Sequence, residues 1–176
     1  MSSEKILSSR TIFEGRVVKL STNTVEKSTG ETVSREIVEH RDCIAAVVLD
    51  DRDNVIMVRQ CRTPTGKDLL EIPAGVIEEG ESPEECVGRE LQEEIGYRPE
   101  KVVRLAGFYS APGYCTEFIY AFLATGLKES RIIAEDTDEI EVVRVPIAKI
   151  AGMIDSGEIC DAKSVAGLLK YLSMLP

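Results

Sequence analysis

The sequence predicts a mixed α/β fold, with one sheet packed between helices and an antiparallel β arm at the N-terminus. An almost unbroken apolar run, CIAAVVLD at 43–50, is typical of a central strand buried on both faces. The order of elements is strands, a helix, strands and then helices, which differs from a regular βαβ array. The later elements are expected as strands at 101–109, 116–124 and 139–145 and as helices at 146–154 and 161–174.

Residues 1–40 are assigned to the arm and residues 41–176 to the main domain. Polar and β-branched residues alternate along 11–27 and again along 31–40, and Ser-Thr-Gly at 28–30 suits a hairpin turn between them. An isolated hairpin is only marginally stable in water. The arm therefore needs another surface on which to pack.

The chain then turns at the polar residues 51–54, returns as a strand at 55–62 and continues as a short strand at 69–73. The helix that follows has clear end signals. Ser82 is a good N-cap, Pro83 suits the first helical position and Glu85 completes a capping box, while Gly96 ends the helix. An apolar stripe recurs along this helix at Val87, Leu91 and Ile95.

Gly88 lies inside this helix, where glycine costs about 1 kcal/mol relative to alanine. Close packing against a neighbouring element is the expected reason for it.

Composition narrows the function classes. The 176 residues include 21 Lys+Arg and 31 Asp+Glu, a net charge of −10, which disfavours a nucleic-acid polymer as partner. No apolar run is long enough for a membrane helix, and the N-terminus lacks a secretory signal. Five scattered Cys predict reduced thiols in the cytoplasm. The only His is His40, so carboxylates are the expected acid/base groups.

Three acids share one face of the helix, because Glu90, Glu93 and Glu94 stand at i, i+3 and i+4. Like charges this close repel one another, and a hard cation such as Mg²⁺ would reverse the sign of that interaction. Arg89 points to a different side and is suited to holding a carboxylate in orientation. The alternative is a solvated acidic face, the commonest environment of Glu.

The segment 75–97 resembles the Nudix box, G-x5-E-x7-R-E-U-x-E-E-x-G-U, in which U is a bulky apolar residue. Chance agreement is roughly 10⁻⁸ per window. The fixed positions are Gly75, Glu81, Arg89, Glu90, Glu93, Glu94 and Gly96.

The resemblance implies a Nudix fold and the hydrolysis of a small nucleotide substrate, a nucleoside diphosphate linked to another moiety. It also implies Mg²⁺ as cofactor, with Mn²⁺ as the alternative. By this resemblance Glu90 and Glu94 are metal ligands, Glu93 shares a second ion, and the carbonyl of Ala74 contributes an oxygen. Glu81 is a peripheral helper.

Further features resemble the ADP-ribose pyrophosphatase branch of this family. These are VRQCR at 58–62, in which Cys61 replaces the usual aromatic residue, and EIPAG at 71–75. Pro112 follows Gly96 by 16 residues, the spacing associated with ADP-ribose preference, although Ala-Pro-Gly also reads as an ordinary turn.

The same resemblance assigns Arg62 to the pyrophosphate, and Arg35 and Glu71 to the adenine or ribose. Gly75 and Pro112 join these substrate-binding candidates. For Arg62 and Arg35, surface salt bridges are the alternative, and for Glu71 a structural role is the alternative. The resemblance also implies a homodimer formed through the N-terminal arm.

A second acidic segment at 134–145 supplies the candidates for the general base. Glu139 is the first choice, followed by Asp138 and Asp136, and Glu141 is a lesser candidate. The alternative is a solvated acidic loop.

The leading hypothesis is hydrolysis of ADP-ribose to AMP and ribose 5-phosphate. Its closest rival is hydrolysis of another nucleoside diphosphate sugar or of a dinucleotide. A third hypothesis is a non-catalytic Nudix module that senses a nucleotide, which the intact acid set argues against.

Overall fold

The computed structural model describes residues 4–134 and 139–175, and two compact units can be distinguished in it. The first unit contains the described residues up to Asp42 together with Tyr109–Phe118, and the second contains Cys43–Phe108 and the described chain from Ile119 onward. Within the described ranges, no helix is long and apolar enough to cross a membrane. The strands are β1 Lys5–Glu14, β2 Lys19–Glu26, β3 Thr32–Glu39, β4 Cys43–Leu49, β5 Asn54–Arg62, β6 Lys67–Glu71, β7 Ala74–Val76, β8 Tyr97–Tyr109, β9 Phe118–Glu129 and β10 Glu141–Pro146, and the helices are α1 Pro83–Glu94, α2 Ile147–Asp155 and α3 Ala162–Leu172.

The first unit contains an antiparallel sheet of three strands in the order β1-β2-β3. The turn expected at 28–30 joins β2 to β3, and Gly30 supplies the positive φ of 81°. The stretch 11–27 is divided between two strands. A turn closed by the hydrogen bond from Gly15 N–H to the Val18 carbonyl splits that stretch, and β1 starts earlier, at Lys5.

The second unit contains a seven-stranded mixed sheet whose main order is β10-β5-β4-β9-β8. The central strand β4 runs parallel to β9 and antiparallel to β5 and β7. The apolar run at 43–50 thus forms the central strand that was expected. Its side chains alternate between two buried clusters on opposite faces of the sheet.

Helices cover both faces of this sheet. Val87, Leu91 and Ile95 of the α1 segment pack on the face of β4 that carries Ile44, Ala46 and Val48. Residues of α2 and α3 pack on the opposite face, where Ile150 and Leu168 are fully buried. The prediction of a mixed sheet between helices is therefore confirmed.

A local change of partner brings the chain toward α1. Strand β6 pairs with β5, whereas β7, only two residues later, pairs with β4. The switch occurs at Ile72 and Pro73, and proline suits this break because it lacks the N–H that a ladder requires. The switch places Ala74 and Gly75 beside the helix that carries the acids.

Close packing does not explain Gly88, because a Cβ built there meets nothing within 4 Å. The Gly88→Ala variant is therefore expected to raise the free energy of unfolding by about 0.5–1 kcal/mol, since alanine is the better helix former. Urea unfolding followed by circular dichroism measures the change. Gly75→Ala is the contrasting variant, because its Cβ would overlap the Glu90 carboxyl group. A destabilised Gly88→Ala protein would show that something else occupies this space.

Candidate active site

The acidic helix is fixed at both ends as the sequence predicts. Ser82 N–H donates to the Glu85 carboxylate at 2.9 Å, and the Ser82 hydroxyl accepts from Glu85 N–H at 3.3 Å, which completes the capping box. After the C-cap residue Ile95, Gly96 adopts a φ of 77°. Glycine takes this left-handed conformation without steric cost, so the helix ends directly after Glu94.

The acids of the box are largely removed from solvent. The side chains of Glu81, Glu90 and Glu93 are 15%, 12% and 15% exposed, and Glu94 is 8% exposed. A solvated acidic face would leave such carboxylates in water. Buried carboxylates require compensating partners, so this cluster has a structural or chemical reason to exist.

Arg89 is the centre of that compensation. Its guanidinium donates to Glu81 at 2.8 and 3.0 Å, to Glu90 at 2.8 Å and to Glu93 at 3.3 Å. It also donates to the carbonyl of Val76 at 3.1 Å. Arg89 was expected to hold one carboxylate in orientation, and its guanidinium is hydrogen-bonded to three. A planar fork of donors suits this arrangement.

After the switch from β6 to β7, the backbone at Ala74 and Gly75 lies against the carboxylates of Glu94 and Glu90. Ala74 N–H donates to a Glu94 oxygen at 3.1 Å. A Cβ built on Gly75 would lie 1.8 Å from the carboxyl carbon of Glu90, so only glycine allows this close approach. The structure therefore brings together Ala74, Gly75, Glu90 and Glu94.

The electrostatics of the cluster are uneven. Burial and the neighbouring Glu90 raise the pKa of Glu94 to about 8, and burial likewise raises the pKa of Glu90 to about 7. Hydrogen bonds from Arg89 instead lower the pKa of Glu81 to about 2. Arg89 contacts Glu81, Glu90 and Glu93. The free-energy cost of burying the charged form is therefore least compensated at Glu94.

This donor set fits a hard divalent cation. Mg²⁺ and Mn²⁺ take oxygen ligands, and the buried carboxylates of Glu90 and Glu94 are negatively charged oxygen donors in mutual repulsion. A cation between them would favour the ionised forms that burial disfavours. The residues present are therefore suited to the metal that the box implies.

Two predicted substrate ligands are paired with each other. Arg62 donates to both oxygens of Glu71, at 2.9 and 2.6 Å, and Glu71 also accepts from Lys163. Burial alone would raise the pKa of Glu71, but Arg62 and Lys163 outweigh it and lower that pKa. Contacts of Arg62 with a pyrophosphate and of Glu71 with a ribose or adenine remain predictions, and Glu71 is only 1% exposed.

The other candidates lie in different parts of the chain. Arg35 and Pro112 belong to the first unit, where Arg35 forms an ion pair with Glu4 at 2.6 Å and Pro112 is exposed in a turn. Glu139 is exposed in the turn before β10. Asp136 and Asp138 lie outside the described residues.

Lys163 and Ser164 were not predicted as site residues. Lys163 contacts Glu71, and the Ser164 hydroxyl accepts from Ile72 N–H at 2.9 Å. Sequence spacing cannot reveal these contacts, which join residues 92 positions apart. The sequence signal nearest to these residues is Asp161, a favourable N-cap residue that caps α3 and so marks the start of the helix that carries them.

Comparison with known proteins agrees with this geometry. The family model described as NUDIX domain matches residues 39–167. The chain belongs to the Nudix family. It is a Nudix hydrolase, and the box that forms α1 and its flanking loops carries the family's acid set.

Two similar proteins match almost the whole chain. The ADP-ribose pyrophosphatase of Bacillus subtilis is 37% identical over 97% of this chain and 93% of its own length. The methanol dehydrogenase activator of Bacillus methanolicus is 36% identical with the same coverage. A crystal structure of an ADP compounds hydrolase superposes with a TM-score of 0.89, covering 97% of this chain and 92% of that one, at 24% identity. That last likeness concerns the fold.

Proposed function

We propose that this Nudix hydrolase cleaves the pyrophosphate bond of ADP-ribose to give AMP and ribose 5-phosphate, with Mg²⁺ as cofactor. The observation that carries the proposal is the cluster of the buried Glu94 with the largely buried Glu90 and Glu93, the last two ion-paired with Arg89. The 37% identity to a protein named ADP-ribose pyrophosphatase supports the substrate. None of the five cysteines, all of which lie in the described ranges, forms a disulfide, in keeping with a cytoplasmic location.

Each box residue has a defined task in this proposal. Glu90 and Glu94 hold the metal, Glu93 contributes to a second ion, and the carbonyl of Ala74 adds an oxygen. When bound, a divalent ion stabilises charge on phosphoryl oxygens and lowers the pKa of water. Arg89 keeps the carboxylates in place, and Gly75 leaves room for Glu90.

A substrate panel tests the proposal. ADP-ribose, GDP-mannose, another nucleoside diphosphate sugar and NAD⁺ are incubated with enzyme and Mg²⁺ or Mn²⁺, and products are separated by chromatography. We expect ADP-ribose to have the highest kcat/KM of the panel and to give AMP and ribose 5-phosphate. A higher kcat/KM for another substrate would contradict the assignment of ADP-ribose. Tight binding of ADP-ribose without turnover would indicate a sensor. Carrying out the reaction in ¹⁸O-water identifies the attacked phosphorus, because the label enters one product.

Glu139 is proposed as the general base that takes the proton of the attacking water. The Glu139→Gln variant is expected to lower kcat by about 10²- to 10³-fold, with a much smaller change in KM. Steady-state kinetics at saturating Mg²⁺ measure both constants. Glu158→Gln is the matched control, because Glu158 is an exposed glutamate outside the acidic segment 134–145. An unchanged kcat in Glu139→Gln would move the base to Asp138 or to a glutamate of the box.

We also propose a homodimer formed through the first unit. Strand β1 is exposed along its whole length, and it carries exposed apolar side chains that include Ile12 and Phe13, the latter 57% exposed. Such surfaces commonly mark protein interfaces. Sedimentation velocity should give a dimer for the wild type and a monomer for the Ile12→Ser, Phe13→Ser double variant. Ile133→Ser, an equally apolar change in the second unit, is the control and should remain dimeric.

A further inference from the structure

The segment Glu71–Ala74 is held by a polar contact at each of its four residues. The Glu71 carboxylate accepts from Arg62 and Lys163, and Ile72 N–H donates to the Ser164 hydroxyl at 2.9 Å. The Pro73 carbonyl accepts from Ala46 N–H at 2.9 Å. Ala74 N–H then donates to Glu94 at 3.1 Å. A segment this fully bonded has little freedom to move relative to the acids.

The start of α3 supplies two of these contacts from far along the chain. Asp161 caps the helix by accepting from Ser164 N–H at 3.2 Å, and the same carboxylate accepts from Lys163 at 2.8 Å. Asp161 therefore holds both Lys163 and Ser164, which in turn contact Glu71 and Ile72. Ser164 is fully buried, and the Lys163 side chain is mostly buried. Neither residue is placed as a surface group would be.

Packing reinforces the same junction. A Cβ built on Gly167 would lie 3.0 Å from Cδ1 of Ile72 and 3.5 Å from Cγ2 of Val47. Helix α3 therefore approaches Ile72 closely enough that the side chain at position 167 must be absent or the neighbours must shift. The contacts of Lys163 and Ser164 depend on this short approach.

We infer that Lys163 and Ser164 are positioning residues of the metal site: they anchor Glu71 and Ile72, so that the backbone at Ala74 stays against Glu94. The inference rests on the proposed function insofar as Glu94 holds a metal there. Among the described residues, neither side chain is hydrogen-bonded to a box acid. The Lys163 charge also acts on Glu94 electrostatically, whereas the neutral Ser164 acts through the 71–74 segment. Groups that orient metal ligands from outside commonly affect metal affinity strongly.

The test compares Lys163→Met and Ser164→Ala with the wild type. Lys163→Arg keeps the charge, and Lys170→Met is the control, since Lys170 is exposed on the same helix. The first measurement is the exchange rate of the Ala74 amide by NMR in metal-free protein. The second is the dissociation constant for Mn²⁺ without nucleotide, and the third is kcat and KM for ADP-ribose.

Both test variants should bind Mn²⁺ about 10- to 100-fold more weakly and show faster exchange at Ala74, with kcat reduced more than KM. Lys163→Arg should restore part of the affinity, and Lys170→Met should match the wild type. Unchanged Mn²⁺ affinity and Ala74 exchange, with only a lower melting temperature, would overturn the inference. Should Ser164→Ala not fold, Lys163→Met and Lys163→Arg decide alone. If the wild type binds Mn²⁺ but does not hydrolyse ADP-ribose, the substrate proposal fails while these measurements still decide the positioning role.

Discussion

Replacing Glu94 with glutamine is expected to lower kcat by roughly 10³-fold while making the metal-free protein more stable at pH 8. The loss of activity follows because the substitution removes a buried negative oxygen that we propose as a metal ligand. Glutamine has nearly the same shape, and its amide oxygen can still accept the hydrogen bond from Ala74 N–H. The fold should therefore be retained.

The gain in stability follows from the raised pKa. Burial and Glu90 raise the pKa of Glu94 from 4.5 to about 8, so between these pH values the folded state binds a proton that the unfolded state releases. The free energy of unfolding of the wild type therefore falls as pH rises through this window and levels off above it. Glutamine has no charge to desolvate. The difference between variant and wild type should be small near pH 4.5 and reach a few kcal/mol above pH 8.

Urea unfolding of metal-free protein at pH 5, 6.5 and 8 measures this difference by far-UV circular dichroism, since the chain has no Trp. Glu84→Gln is the matched control, an exposed glutamate on the same helix. Added Mg²⁺ should raise the melting temperature of the wild type at pH 8 much more than that of Glu94→Gln. Equal stability of the two proteins at every pH would show that Glu94 is not an electrostatic liability.

Local signals account for what the sequence predicts well. All the signals for α1 lie within the helix and its two ends: Ser82, Glu85, the apolar stripe and Gly96. They therefore predict the helix bounds closely. The run at 43–50 was identified as a central strand because burial on both faces leaves no polar alternation. The two-residue switch at Ile72 and Pro73 was not foreseen, since pairing partners are a tertiary choice.

The differences arise where the structure depends on a contact that the local sequence does not show. The residues of 11–27 suit a strand throughout, and only the backbone bond between Gly15 and Val18 reveals the turn. Close packing is the expected reason for Gly88, but periodicity along one helix does not show whether another element packs against that face, and no element of the described chain comes within 4 Å of a Cβ built there. Lys163 and Ser164 reach Glu71 and Ile72 only because the sheet and α3 fold together.

The site residues share one physical property: their charges are compensated unequally. Arg89 and the backbone satisfy Glu81, whose pKa falls, whereas Glu94 and Glu90 keep raised values. Raised carboxylate pKa values in a cleft are typical of functional sites. The protein thus accepts a loss of stability at Glu94, in keeping with a site that becomes stable when a cation binds.

Replacing Arg89 with methionine should therefore be the most destructive single change in the box. The substitution leaves the largely buried carboxylates of Glu81, Glu90 and Glu93 without their shared cation. Breaking such a buried pair typically costs about 3–5 kcal/mol, and here one guanidinium serves three partners. Arg89→Lys should recover only part of the loss, because an ammonium is a point charge without the planar fork.

The pH dependence separates this electrostatic role from simple packing. The lowered pKa of Glu81 contributes stability that is fully present above pH 4.5 and lost as pH falls toward about 2. That contribution is absent in Arg89→Met, so the gap in unfolding free energy between wild type and variant should be constant above pH 4.5 and should narrow as pH falls from 4.5 toward 2. Arg98→Met, an exposed change just beyond the helix, is the control in urea unfolding. A gap that stays constant from pH 8 to pH 3 would mean that Arg89 acts through its packing, and the carboxylates of the box would then owe their arrangement to the backbone.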